Sequence, residues 1–305
     1  MNIGLLAFGK RNFPNLALMK LSAYHKNKDD KVELFDRLTM RPDKIYISVP
    51  FTWNLHNALA FKTLYPDIEI CYGGSAYSYE CLSDEVEHMK PDYDLYPADF
   101  SMGFTSRGCL RRCKFCIVPQ KEGHIRDHAH LGEFLDDRFN KLILLDNNLL
   151  AAPSSSATLK AIRQRGLSVD FNQGLDIRLI TEENAHLIVD VDYRGYPHWS
   201  RTLRFSFDNP ANLKDVERGI KLLLDAGISA RHLFFYILAG YNTTISQDVE
   251  RVEFIAEYGA RPFIMKYNRI SSPELNKLAK WVNHIPYYQV VKFADFDTTR
   301  LGVKA

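Results

Sequence analysis

Short apolar runs of strand length alternate with segments of helical periodicity from Ile3 almost to the C-terminal end of the sequence. No other feature constrains the fold as tightly. A buried strand followed by a helical crossover brings the next strand back in the same direction, so the alternation specifies parallel sheets with helices packed on them. The chain has 305 residues, enough for two domains or for one with a sizeable appendage. Its 46% hydrophobic and 25% charged residues are the balance of a soluble globular protein with a real core.

In residues 1–98 the expected strands are Ile3–Phe8, Val32–Phe35, Ile45–Val49 and Ile68–Cys71. Leu16, Met19 and Ala23 recur at helical spacing in Asn15–Lys26, and Asn54–Leu64 reads as a second helix. Gly73-Gly74 directly follows a strand, where such a pair serves a tight turn and the close approach of a ligand equally well. Lys90–Pro97, with two prolines and no apolar period, reads as a linker. The expectation is a doubly wound parallel-sheet domain over 1–98.

Residues 99–270 hold six more expected strands: Gly103–Thr105, Leu142–Leu145, Ser168–Phe171, Leu203–Phe207, Leu233–Leu238 and Phe263–Met265. The helix Leu213–Ala226 stops at Gly227, and Gln247–Tyr258 stops at Gly259, both good C-cap residues. Thr181 is an N-cap for a third helix, with Glu182 and Glu183 in its positively polarised first turn. Six βα units in series specify a partial (βα)6 barrel, with ligands at the C-terminal ends of its strands. In 271–305, Leu275, Leu278, Trp281 and Val282 mark an amphipathic helix. With Tyr287, Tyr288, Phe293 and Phe296 it is expected to cover one end of the barrel.

Of the five cysteines, Cys109, Cys113 and Cys116 fall within one short run, and Cys71 and Cys81 stand apart. An odd count clustered in this way argues against a disulfide framework and for metal binding. The run Gly108-Cys109-Leu110-Arg111-Arg112-Cys113-Lys114-Phe115-Cys116 follows an expected strand, so it lies in a loop at the catalytic face. Three thiolates at C-x3-C-x2-C spacing can wrap one cubane and leave its fourth iron without a protein ligand. That iron can take the amino and carboxylate groups of S-adenosylmethionine, and an electron from the cluster then releases a 5′-deoxyadenosyl radical. The competing interpretation is a zinc site closed by His124, His128 or His130. Those histidines otherwise read as solvated side chains of a polar connection.

On this motif and its context the chain resembles the radical S-adenosylmethionine (radical SAM) superfamily over most of its length. The resemblance implies a four-iron four-sulfur cluster on Cys109, Cys113 and Cys116, with S-adenosylmethionine as the second cofactor. It sets Phe115 against the adenine and Asp146 and Asn147 at the amino group, where an acidic or amide residue at a strand end serves equally well as a turn former. Arg178 would pair with the methionyl carboxylate, or merely with Asp176 or another neighbour. Ser206 and Asp208 would reach the ribose or substrate, and Gly240 would lie beside the adenine. Asp208 equally suits a plain turn, and Gly240 a loop. An electron donor such as flavodoxin or ferredoxin is implied as partner.

The first stretch resembles the cobalamin-binding-like domain fused to many such enzymes. The likeness lies in its βα order, in Tyr72-Gly73-Gly74-Ser75 and in Pro91-Asp92-Tyr93. Its cobalt-ligating D-x-H-x-x-G motif is missing, and Tyr72, Tyr77 and Tyr79 crowd the glycine loop, so cobalamin is not favoured.

Arg107, Arg111, Arg112 and Lys114 make the cysteine loop basic, which suits compensation of an anionic cluster better than capture of an anionic substrate or donor. The net charge of +2 carries no argument for nucleic acid or membrane. A nucleic-acid base, a peptide and a small metabolite all stay open as substrates. No cysteine follows Cys116, which excludes an auxiliary cluster in the C-terminal half. No apolar stretch approaches a membrane-spanning length, and the N-terminus reads as a strand, so a cytoplasmic location is expected. Two functions compete: an enzyme that cleaves S-adenosylmethionine and abstracts hydrogen from or methylates its substrate, and a non-enzymatic iron–sulfur or zinc protein with a structural, sensing or electron-transfer role.

Overall fold

A computed structural model of the chain describes residues 1–9, 13–36, 40–269 and 272–297. The protein is of mixed α/β class with parallel sheets, and it divides into two compact units, Met1–Leu145 and Asp146 onward.

The first unit begins β1 (Asn2–Ala7), α1 (Leu16–Lys26), β2 (Lys31–Leu34), β3 (Lys44–Ser48), α2 (Leu55–Leu64), β4 (Glu69–Gly73) and α3 (Asp84–Glu87). Its four strands are parallel in the order β2-β1-β3-β4. Alternation along β1 sends Ile3 and Leu5 to one face, where they meet Leu18 and Leu21 of α1 and Val86 of α3. The other face carries Ile45 and Ile47 of β3 against Ala58 of α2, with Leu6 and Phe61 packed on them. Two apolar faces require a helix on each, because each buried Ile or Leu contributes roughly 1.5–3 kcal/mol. The Asn15 side chain starts α1 by accepting from Leu18 N at 3.1 Å. Its amide also donates to Ser48 Oγ at 2.8 Å and ties the helix start to the end of β3.

The unit continues with β5 (Ser101–Gly103), β6 (Ser106–Arg107), α4 (Val118–Lys121), β7 (Arg126–Asp127), α5 (Leu131–Phe134) and β8 (Lys141–Leu144). Strands β5 and β8 pair in parallel, whereas β6 and β7 form a small antiparallel ribbon. The strand expected at Gly103–Thr105 therefore lies two residues earlier. Beyond Gly103 the backbone turns to β7, and Thr105 O accepts from His128 N at 2.8 Å. Residues 90–97 hold neither helix nor strand, yet they are no loose tether. Tyr93 is buried, its hydroxyl donating to Phe134 O at 2.5 Å and accepting from Met102 N at 3.0 Å.

The second unit contains α6 (Ser155–Gln164), β9 (Ser168–Phe171), α7 (Glu182–Val189), β10 (Asp192–Tyr193), β11 (Leu203–Ser206), α8 (Leu213–Asp225), β12 (Leu233–Ala239), α9 (Ile245–Glu257), β13 (Arg261–Lys266) and α10 (Pro273–Asn283). Strands β11, β12 and β13 are parallel neighbours, and β10 pairs with β9. The helices are placed by their apolar stripes: Val216, Ile220 and Leu223 of α8, and Val252 and Ile255 of α9, are all buried. Thr181 caps α7 and Thr244 caps α9, each in a capping box. In α10 the expected Leu275, Leu278, Trp281 and Val282 are the buried positions, and Trp281 Nε1 donates to Val291 O at 2.8 Å. No helix of the described residues is long and apolar enough to cross a membrane.

Candidate functional site

The cysteine loop leaves β6 and returns through α4 to β7, so the antiparallel ribbon closes its base. Gly108 makes the entry possible. Its φ is +84°, and a Cβ there would stand 2.2 Å from His124 O, so only glycine lets the two ends of the loop pass so closely. Cys109 N donates to Gly123 O at 3.2 Å across the same gap. Further along, Cys116 N donates to Cys113 O at 3.0 Å in a tight turn, and Arg111 N points at Cys109 Sγ from 3.3 Å.

Cys109, Cys113 and Cys116 are half-buried and none is in a disulfide. A cleft of about 270 Å³ opens beside the loop, lined by Cys109, Arg111, Arg112, Gln120 and His124. Phe115 is half-buried next to Cys116. Arg112 donates to His124 Nε2 at 2.9 Å, and His130 caps α5. Among the described residues, no three or more His, Cys, Asp or Glu side chains are grouped to hold a single metal ion. A cubane sets a different requirement, because each of its cysteine thiolates binds a different iron. The donor set here, three undimerised thiols on one clamped loop, fits that requirement in kind.

Two groups depart from the surface character that the sequence suggested. Arg107 is buried, donating to Glu87 Oε2 at 2.6 Å and to Glu122 Oε2 at 3.2 Å, with its guanidinium 4.1 Å from the centre of the Phe104 ring. It is thus withdrawn from any basic surface around the cysteines. His128 is not a solvated side chain: only 11% of it is exposed, 3.8 Å from Glu87. Burial, and then the charges of Arg107 and Lys20, hold its pKa down at about 4. Lys20 of α1 donates to Glu87 Oε2 at 3.2 Å and completes the network. Burial pushes the Glu87 carboxyl up, but Arg107 and Lys20 outweigh it and keep the group below its ordinary value.

The remaining candidates belong to the second unit. Asp146 is buried directly after β8, and Asn147 is half-buried. Arg178 holds Asp176 with two hydrogen bonds, Nε to Oδ1 at 2.7 Å and Nη2 to Oδ2 at 2.9 Å, so of its alternative partners the neighbouring carboxylate is in place. Asn148 Nδ2 also donates to Asp176 at 3.4 Å. Ser206 ends β11 and Asp208 lies just beyond it, and Asp208 Oδ1 accepts from Leu238 N at 3.2 Å, which fastens it to β12. Burial raises the pKa of Asp208, opposed by the Leu238 and Ser206 hydrogen bonds and by the charges of Arg251 and Arg178. Asp176, Arg178, Ser206 and Asp208 thus form one polar group. Gly240 directly follows β12 with φ +79°, a left-handed conformation that favours glycine, and a Cβ there would stand 2.9 Å from Leu275 Cδ1.

Two buried ion pairs escaped the sequence reading. Arg204 donates to Asp170 and also to Tyr196 O at 3.0 Å, while Tyr196 N donates to the other Asp170 oxygen at 3.0 Å. Arg251 of α9 is held by Asp248 at 2.5 Å and donates to Phe207 O and to Leu238 O, joining α9 to the ends of β11 and β12. The signal was present in both: a charged residue inside an apolar strand, Ser-Val-Asp-Phe, and a charged pair spaced three apart on the buried stripe of a helix. No protein-family model matches the chain, and a search of curated proteins finds no match either.

Proposed function

We propose that the chain is a radical SAM enzyme in which Cys109, Cys113 and Cys116 hold a four-iron four-sulfur cluster. The observation that carries this reading is the C-x3-C-x2-C run of cysteines on a loop closed at its base, next to a cleft. The cluster, when bound with S-adenosylmethionine, would supply one-electron cleavage of the sulfonium and a 5′-deoxyadenosyl radical. The chain's own residues would do the rest. Arg111 N steadies a Cys109 thiolate, and Phe115 offers an aromatic face to the adenine. Asp146 and Asn147 would take the amino group, with Arg178, Ser206, Asp208 and Gly240 as further cofactor contacts.

In this reading residues 1–98 form the doubly wound, cobalamin-binding-like domain, 99–270 the partial barrel and 271–305 its cover. Cobalamin is not favoured, and electrons come from a flavodoxin or ferredoxin. Hydrogen abstraction and methylation are both compatible with it. The decisive experiment is anaerobic reconstitution of the full chain. About four irons per chain are expected, lost on Cys109→Ala, Cys113→Ala or Cys116→Ala and kept on Cys71→Ala and Cys81→Ala. Reduction in the presence of S-adenosylmethionine should then yield 5′-deoxyadenosine. Tight zinc with no iron uptake would overturn the reading.

A further inference from the structure

A second cavity of the first unit has Cys71 and Cys81 in its lining but none of the three loop cysteines. It encloses about 310 Å³ between α1 and the C-terminal ends of β3 and β4, with Leu21, Ile47 and Phe104 among its apolar walls. That volume is at the lower end of small-molecule pockets and matches a metabolite with a single ring. Its polar groups are unusual for an apolar cavity: Lys20, Arg107 and Lys121 all line it, with Glu87. Only 9% of the Arg107 side chain is exposed, yet its Nε has no hydrogen-bond partner. An unsatisfied donor on a buried cation is rare in a folded protein and marks a place where an acceptor is wanted.

Three cations and three carboxylates surround the cavity. Lys20, Arg107 and Lys121 face the buried carboxylates of Glu87 and Glu122, and Lys121 reaches Ser75 Oγ at 3.1 Å and Glu122 at 3.6 Å. Glu80 also lines the cavity, from an exposed position, and Glu133 is paired with His88 at 2.8 Å. His128, with its pKa near 4, adds no positive charge at neutral pH but also no compensation. The local charges therefore balance, and what marks the cavity for an anion is the buried Arg107 Nε that no acceptor reaches, beside an apolar wall.

The glycine pair after β4 separates what the fold needs from what the cavity needs. A Cβ at Gly74 would stand 2.7 Å from Val49 O, so close approach to the end of β3 demands glycine there. A Cβ at Gly73 would meet no protein atom within 4 Å, and Gly73 lines the cavity. Packing does not require glycine at that position; open space for a ligand does.

We propose that this cavity binds a small organic anion, a phosphate monoester or carboxylate on a single ring, with its anionic group at Arg107, Lys20 and Lys121 and its ring against Phe104 and Ile47. The site is independent of the cluster, and neither result below bears on iron uptake. The test uses the full chain and fluorine NMR, with para-fluorophenyl phosphate, para-fluorophenylacetate and neutral para-fluorobenzyl alcohol as probes. At least one anion should bind about tenfold more tightly than the alcohol. Which anion wins distinguishes phosphate from carboxylate. Gly73→Leu should abolish binding, and Lys121→Gln should weaken it by about threefold to tenfold. If Gly73→Leu does not fold, Lys121→Gln decides, because that side chain is 27% exposed and the Glu87 network survives its loss. Absence of binding, equal binding of the alcohol, or undiminished binding in folded Gly73→Leu would overturn the proposal.

Discussion

Arg107 and Arg178 are both bound to carboxylates close to the proposed cofactor residues, and they reach their partners by opposite routes. Arg178 holds Asp176, two residues away in the same turn. Arg107 holds Glu87 and Glu122, and through Glu87 it meets Lys20, so helices α1, α3 and α4 converge on the strand that opens the cysteine loop. The local pair keeps its shape whatever surrounds it, whereas the distant one exists only when the whole first unit is folded. Site geometry in the first unit therefore depends on its global stability far more than in the second.

Glu87→Gln is the substitution that strains this comparison most. It leaves Lys20 and Arg107 buried beside each other without their shared carboxylate, and it should cost about 3–5 kcal/mol in denaturant unfolding. A loss near 1 kcal/mol would mean that water or Glu122 alone can carry the network. Gly108→Ala asks whether the loop base is also held through the backbone. The new methyl meets His124 O in a conformation that disfavours alanine, so a loss of about 2–3 kcal/mol is expected, measured in the same way. Asp176→Asn should have a much smaller effect, about 1 kcal/mol, because the amide keeps an acceptor for the Arg178 backbone and part of the side-chain bond. If Asp176→Asn rivals Glu87→Gln, the contrast between local and distant anchoring is wrong.

The last effect is one of pH, and at neutral pH it is silent. The His128 imidazole is held neutral in the fold down to about 4, whereas an unfolded histidine takes a proton at roughly 6.5. Between those values the unfolded chain binds the extra proton, so stability falls as pH drops through that window. His128→Gln should flatten that part of the stability profile and leave the neutral-pH value little changed. An unaltered slope would show that His128 becomes protonated in the folded chain.

Much of the architecture was legible because it rests on short-range rules. Ile3, Leu5, Ile45 and Ile47 announce strands by alternation, Thr181 announces a helix start, and Leu275, Leu278, Trp281 and Val282 announce a buried stripe, as the structure has them. The Arg178–Asp176 alternative could be stated from spacing alone. What could not be read was any contact between residues far apart in sequence. Lys20 sits between Met19 and Leu21 on a buried helix face and looks like a misplaced surface charge until Glu87 is brought to it. Tyr93 stands in a proline-rich segment and becomes a buried hinge-pin only because the backbones of Met102 and Phe134 both come within reach of its hydroxyl. The shift of β5 has the same origin, since the ribbon that ends it is completed by Arg126 and Asp127, far along the chain.

The closed base of the cysteine loop has a consequence for binding strength. Bringing the ends of a flexible segment together carries an entropy penalty that grows with the logarithm of its length. Here folding has already met that penalty, because Arg107 is joined to Glu122 and Cys109 to Gly123 before anything binds. Whatever the three thiols take up need only quench the motion left inside a ring whose circumference is already set. If the proposed cluster binds there, opening that ring with every thiol left in place would weaken its capture.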